Sequence, residues 1–301
     1  MKPLIKFGVA MLAGISLYSC SKSSSNTNPD DGGGEVIVDD IEKDRTFTSR
    51  ALFEDYTGTW CGFCPQIAYK FETLAANNPR FIFIGNHSGD DLQTKYQSTL
   101  EAEYGVISWP DAIMMRNYLP DNTPDNFIST GNILDLSDTV QVQPWLATDQ
   151  SVGVSFSNGK IENNRAKGTV KIAFGKDYSE TLAITILLVE KGIAEEQKNY
   201  YNSSPSGNPF YGLGNPIEDY EQDNVLREAA TNILGDNIDA ASTKNGKIVS
   251  KDFDFDLSKY NPSNCIVVAF VNGKKSNATI KGILNVQWTA AGTNKSFEIT
   301  N

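Results

Sequence analysis

Two cysteines separated by two residues, Cys61 and Cys64, stand between an apolar run and a helical repeat. This junction constrains the fold more than any other part of the chain. Upstream, Ala51-Leu52-Phe53-Glu54-Asp55-Tyr56 is aromatic and apolar enough for a strand, and it leads through Thr57-Gly58-Thr59 to Trp60. Downstream, Ile67, Phe71, Leu74 and Ala75 recur at i, i+4, i+7 and i+8, one face of a helix. Pro65 suits a first helical turn, where a missing N–H costs nothing. The spacing therefore predicts a cysteine pair at a helix N-terminus, with Cys64 one turn inside. There the free N–H groups and the helix dipole favour a thiolate on Cys61. Such a pair can close into a disulfide or open to a dithiol, so both an exchange site and a permanent structural clamp satisfy the pattern, as does a pair of unreactive thiols. Zinc needs two further ligands, whereas His87 is the single histidine and Cys265 stands far away in a strand pattern. No metal and no cofactor is expected.

Trp60-Cys61-Gly62-Phe63-Cys64 resembles the hallmark of the thioredoxin superfamily. Two further features carry the resemblance. In Ile107-Ser108-Trp109-Pro110, the proline takes the place of one that the superfamily holds in cis facing the disulfide. Asp55, six residues before the first cysteine, takes the place of a buried carboxylate that relays a proton to the second. Glu54 stands beside it, and only one of these neighbours can point at the cysteines. Cys61 and Cys64 are thus the candidate catalytic residues, with Trp60, Pro110 and Asp55 in support. Gly62-Phe63 departs from the Gly-Pro of thioredoxin, so a reduction potential does not carry over. The order of elements agrees. Phe81–Gly85 reads as a buried strand. Asp90-Asp91 read as the start of a helix with Leu92, Tyr96, Thr99 and Leu100 as its apolar stripe and Gly105 as its cap. A last helix is expected around 132–147, while 117–126 is loop-like where a fifth strand would run. His87 follows the second strand, on the edge where Cys61 also lies. It is either close enough to tune the thiolate or a solvent-exposed loop residue.

From about Ser151 short alternating runs with turn signals take over. Candidate strands are 152–156, 168–174, 182–190, 248–255, 265–271 and 280–288, punctuated by Ser157-Asn158-Gly159 and Val271-Asn272-Gly273. They predict an antiparallel, immunoglobulin-like β-sandwich. Cys265 alternates with Val267 and Ala269, as a buried hydrophobe would. The expected fold is an α/β thioredoxin-like domain over 45–149 followed by an all-β sandwich domain over 150–301. An insertion at about 193–223, rich in Asn, Pro, Gly and Tyr, is either a functional loop or a self-packed cover on a sheet edge.

The N-terminus carries targeting rather than fold. Lys2 and Lys6 precede an apolar run too short to span a bilayer, which ends in Leu17-Tyr18-Ser19-Cys20. That ending resembles the bacterial lipobox and implies a signal peptide over 1–19 with lipid on Cys20, several acyl chains giving stable anchoring. Residues 20–44 are expected to form a flexible tether. With 26 basic against 37 acidic residues and a net charge of −11, the chain lacks the basic face that nucleic acid or an anionic surface requires. Asp219-Tyr220-Glu221-Gln222-Asp223-Asn224-Val225-Leu226-Arg227, taken with the cysteine motif and the lipobox, resembles the family of 28-kDa outer membrane proteins and their related lipoproteins. That resemblance implies a lipid-anchored outer-membrane protein. The functional expectation is thiol–disulfide exchange on exported protein thiols or disulfides. A binding or adhesion lipoprotein with an unknown surface partner and a structural disulfide is the rival.

Overall fold

The computed structural model describes residues 38–118, 124–126 and 143–301. The expected signal peptide, Cys20 and most of the tether lie outside the described residues, as does most of the helix expected around 132–147.

The first half alternates strands and helices. A short β1 (Val38–Asp40) precedes β2 (Ala51–Thr57), which is buried at every position. Then come α1 (Cys64–Asn77), β3 (Phe81–His87), α2 (Gln97–Tyr104), β4 (Asp111–Tyr118), β5 (Pro124–Asn126) and a single turn, α3 (Gln143–Leu146). The stripe Ile67, Phe71 and Leu74 is the buried face of α1, as its spacing requires, and Pro65 sits in the first turn. Cys64 is the first residue of that helix rather than one turn inside it. α2 starts at Gln97 and not at Asp90, because the Asp90 side chain is engaged elsewhere. Its end is as expected: Gly105 takes the left-handed conformation (φ 63°) and its amide bonds to the Glu101 carbonyl. The fifth strand exists as the three residues of β5, antiparallel to β4.

The second half is strands apart from one 3-10 turn at Pro262–Asn264: β6 (Val152–Glu162), β7 (Arg165–Phe174), β8 (Leu182–Glu190), β9 (Ile193–Gln197), β10 (Ile217–Gln222), β11 (Val225–Ala229), β12 (Asp236–Ile238), β13 (Lys247–Asp256), β14 (Cys265–Gly273) and β15 (Ile283–Ala290). Ser157-Asn158-Gly159 does not end β6. The strand passes through it with a bulge between Ser157 and Lys160, and the hairpin turns at Asn163-Asn164, both at positive φ. The insertion holds a hairpin of its own, β9 against β10.

Two sheets organise these strands. A nine-stranded mixed sheet runs β15-β14-β8-β11-β3-β2-β4-β5, with β12 also on β8. β3 pairs in parallel with both β2 and β11. A four-stranded antiparallel sheet, β1-β13-β7-β6, faces part of it. Alternation along β8 and β14 explains the arrangement. Ile184, Ile186, Leu188, Val267 and Ala269 pack against Val154, Val170, Ile172 and Phe253 of the four-stranded sheet. Leu187, Val189, Ile266, Val268 and Phe270 point the other way, into the core shared with β2, β3 and α1. Both faces of β8 and β14 are therefore covered, and the sheet passes without interruption across the boundary expected near residue 150. Strand-rich architecture with mixed sheets is the outcome.

Candidate functional site

Cys61 and Cys64 form a disulfide, with Cα atoms 5.4 Å apart. Chain geometry places it where β2 turns into α1. Cys61 donates its amide to the Gly58 carbonyl, and Cys64 donates to that of Cys61. Both cysteines are nearly sealed, at 4% and 1% exposure, while their neighbours Trp60 and Phe63 stand 45% and 52% exposed. The Trp60 indole N–H donates to the Ser88 carbonyl, and its ring meets Trp109 edge-on with centroids 5.7 Å apart. That contact brings the Trp109-Pro110 segment to the motif, and the bond between those two residues is cis.

Period-two alternation resolves Glu54 and Asp55. Phe53 packs on Phe71 of α1, so Asp55, two residues on, faces the helix that begins at Cys64. Glu54 faces the opposite side, where it forms a two-armed ion pair with Arg116, both bonds 2.7 Å and both side chains 1% exposed. Asp55 is 2% exposed, and its Oδ1 has no hydrogen-bond partner among the described residues. Burial first, then the Asp111 and Glu72 carboxylates, push its carboxyl well above the ordinary range. Burial also raises Glu72 to about 7, assisted by Asp223 and Glu221, and raises Asp111 to about 6 against the Ala112 amide. Asp55 is thus a buried carboxyl whose protonated form its surroundings favour.

His87 is buried at 3% exposure, not an exposed loop residue. Its Nδ1 lies 2.8 Å from Asp90 Oδ2, and that same oxygen accepts the Thr59 amide at 2.8 Å. Asp90 Oδ1 accepts the Leu92 amide. Burial pushes the Asp90 carboxyl up, but the hydrogen bond and charge of His87 and the two amides outweigh it and hold it below the usual range. His87 therefore reaches the motif through one intermediate, Asp90, which fixes the residue before Trp60.

The insertion contributes what the sequence did not announce. Gln197, 1% exposed, donates its side-chain amide to the carbonyls of Gly58 and Cys61, at 3.3 and 3.0 Å. The Lys198 and Tyr200 amides donate to Thr59 and Gly62. The aromatic richness of the insertion is visible in sequence; nothing there ties a lone glutamine to a loop 136 residues away. Cys265 is buried and its thiol is pushed up to about 12, chiefly by burial, which makes it inert. Among the described residues no group of three or more His, Cys, Asp or Glu could hold a metal, and no helix is long and apolar enough to cross a membrane.

No curated protein sequence matches the chain. Among solved structures, HBP35 of Porphyromonas gingivalis is similar in fold, with a TM-score of 0.61 at 18% identity over 81% of this chain and 76% of that chain. The family Outer membrane protein Omp28 matches residues 97–295, which include the Asp219–Arg227 segment but not the cysteine pair. Since that match spans well over half of the sequence, the chain belongs to the Omp28 outer membrane protein family.

Proposed function

We propose that this outer membrane protein is a lipoprotein anchored through Cys20 and that it carries out thiol–disulfide exchange on exported protein thiols or disulfides. In this reading residues 45–149 form a thioredoxin-like region and 150–301 an immunoglobulin-like β-sandwich that shares its sheet. The observation that carries the reading is the buried Asp55 carboxyl, its Oδ1 without a hydrogen-bond partner among the described residues, on the face of β2 that looks toward the helix bearing Cys64. A purely structural clamp has no use for such a group, which is costly to bury.

The chemistry follows from the positions. A substrate thiolate attacks Cys61 Sγ as the Cys61–Cys64 bond breaks, and Cys64 leaves with the electron pair. The helix N-terminus stabilises a thiolate there, and Asp55 supplies or accepts the proton that Cys64 exchanges. Trp60, Trp109 and Pro110 frame the approach. Transfer between a substrate dithiol and this disulfide moves two electrons, and the product must be reset by another envelope thiol or disulfide partner.

The low exposure of Cys61 favours one other reading, a surface binding protein in which the disulfide is a clamp and the aromatic insertion binds the partner. Serine variants of the full-length chain in detergent separate the two. Exchange predicts that Cys61→Ser loses all activity toward a scrambled disulfide substrate, and that Cys64→Ser accumulates mixed disulfides. A reduction potential between about −120 and −270 mV would fit exchange; one below about −300 mV, with both serine variants still binding, would leave the clamp.

A further inference from the structure

The segment 197–200 of the insertion runs along the cysteine loop and takes up its carbonyls in turn. Gln197 bonds those of Gly58 and Cys61, Lys198 that of Thr59 at 2.8 Å, and Tyr200 that of Gly62 at 3.0 Å. The Gln197 amide cannot turn over, because its Oε1 accepts from Gln222 Nε2 at 2.8 Å, on the neighbouring strand of the hairpin. The Tyr200 ring lies so close to Gly62 that a Cβ there would come within 2.5 Å of it, and the same ring meets Phe63 edge-on at 4.9 Å. A hairpin from the far half of the chain therefore grips the loop on one side, leaving Trp60 and Trp109 on another.

We propose that Gln197 and Tyr200 are positioning residues of the exchange site. Gln197 sets the electrostatics of the Cys61 carbonyl, and Tyr200 restricts approach to the disulfide to the Trp60–Trp109 side. This rests on the exchange reading above. An uncompensated carbonyl dipole next to a sulfur opposes its thiolate, and a side-chain donor fixed on that carbonyl removes the opposition. The exposed tyrosine ring, held over Gly62 by its main-chain bond, the Phe63 contact and the Lys198 ammonium 5.3 Å from its centre, is a steric wall beside the disulfide loop.

Dithiothreitol and the full-length chain in detergent give the test. One dithiothreitol thiolate attacks Cys61 Sγ, forming a mixed disulfide while Cys64 departs with the bonding pair and takes a proton. The second dithiothreitol thiol then closes its ring and releases Cys61, so two electrons and two protons pass to the protein. Tyr200→Ala is expected to speed this reduction about three- to tenfold, the equivalent of one lost aromatic pair, whereas Tyr200→Phe keeps the wild-type rate. Gln197→Met is expected to raise the Cys61 pKa of the reduced protein by about half to one unit, read from the pH dependence of iodoacetamide alkylation. Both measurements are made on variants whose circular dichroism matches wild type, and a merely structural role would not move the alkylation profile. Wild-type rates in Tyr200→Ala together with an unmoved profile in Gln197→Met would overturn the proposal while leaving exchange intact. A wild-type disulfide that dithiothreitol does not open, in any variant, would overturn exchange and this inference with it.

Discussion

Glu54 and Arg116 offer the most decisive test of how this core is built. Glu54→Leu would leave the Arg116 guanidinium buried at 1% exposure, with the Ile233 carbonyl and the rings of Phe270 and Tyr104 (4.8 and 5.7 Å from its carbon) around it. Two charge-assisted bonds of 2.7 Å vanish while the cation remains. Removing one partner of such a pair costs about 3–5 kcal/mol, because an uncompensated charge stays in the core. For a chain of this size each kcal/mol shifts the melting temperature by about 2–4 °C, so Glu54→Leu should lower it by about 6–20 °C. Glu54→Leu with Arg116→Met removes the stranded charge and should recover most of the loss, since apolar replacement of a whole buried pair is often neutral. Thermal unfolding followed by circular dichroism measures both. A single variant within about 1 kcal/mol of wild type, or a double variant no better than the single, would refute the reasoning.

Further predictions address the acid groups and the backbone. The Glu72 carboxyl is raised from 4.5 to about 7, so the folded state binds more protons than the unfolded chain between those values and stability falls as pH rises through that window; Glu72→Gln should flatten the fall in urea melts at pH 5 and 7. Asp55→Asn, by the same sign, should stabilise the protein at neutral pH, because it removes a carboxyl that burial disfavours in its charged form, while slowing exchange. Equal stability at neutral pH would count against a buried, raised Asp55. Asp90→Ala releases the Thr59 amide and the His87 ring together, and should lower the melting temperature while broadening the Trp60 fluorescence environment. Gly175→Ala would drive a Cβ into the Arg45 carbonyl oxygen and should be severely destabilising, whereas Gly207→Ala meets nothing and should stay within about 0.5 kcal/mol of wild type.

The elements around the cysteines were legible because their signals are local. The Ile67-Phe71-Leu74 stripe, Pro65 in the first turn and Gly105 at positive φ each need only neighbouring residues to be read. Six of the strands in the second half announced themselves by alternation. β11 did not: Val225–Ala229 is short and half polar, and it is a strand because β3 and β8 flank it. The start of α2 was misplaced for a related reason. Asp90 is a good helix opener by type, but the Thr59 amide from 31 residues upstream and the His87 ring share its Oδ2, and the helix begins seven residues later. At the site, Cys61, Trp60 and Pro110 could be found by pattern, while spacing left Asp55 and Glu54 as neighbours that only the Phe53–Phe71 contact and the Arg116 pair separate. Gln197 and Tyr200 could not, because their partners are far off in sequence and glutamine carries no chemical signature of its own.

The parallel pairing of β3 with β11 has a consequence for how the chain comes into being. β3 ends at His87, yet the strand that closes its outer edge, paired at Gly85 with Val225, is synthesised and exported well over a hundred residues later. Until then a fully buried strand has an open edge, and a fragment ending near residue 150 keeps it open permanently, an invitation to self-association. The Cys61–Cys64 link spans three positions and can close as soon as both thiols reach an oxidising compartment. Covalent closure of the loop can thus precede completion of the sheet, and the hairpin that grips the loop follows in the chain more than a hundred residues after the cysteines, just ahead of β11.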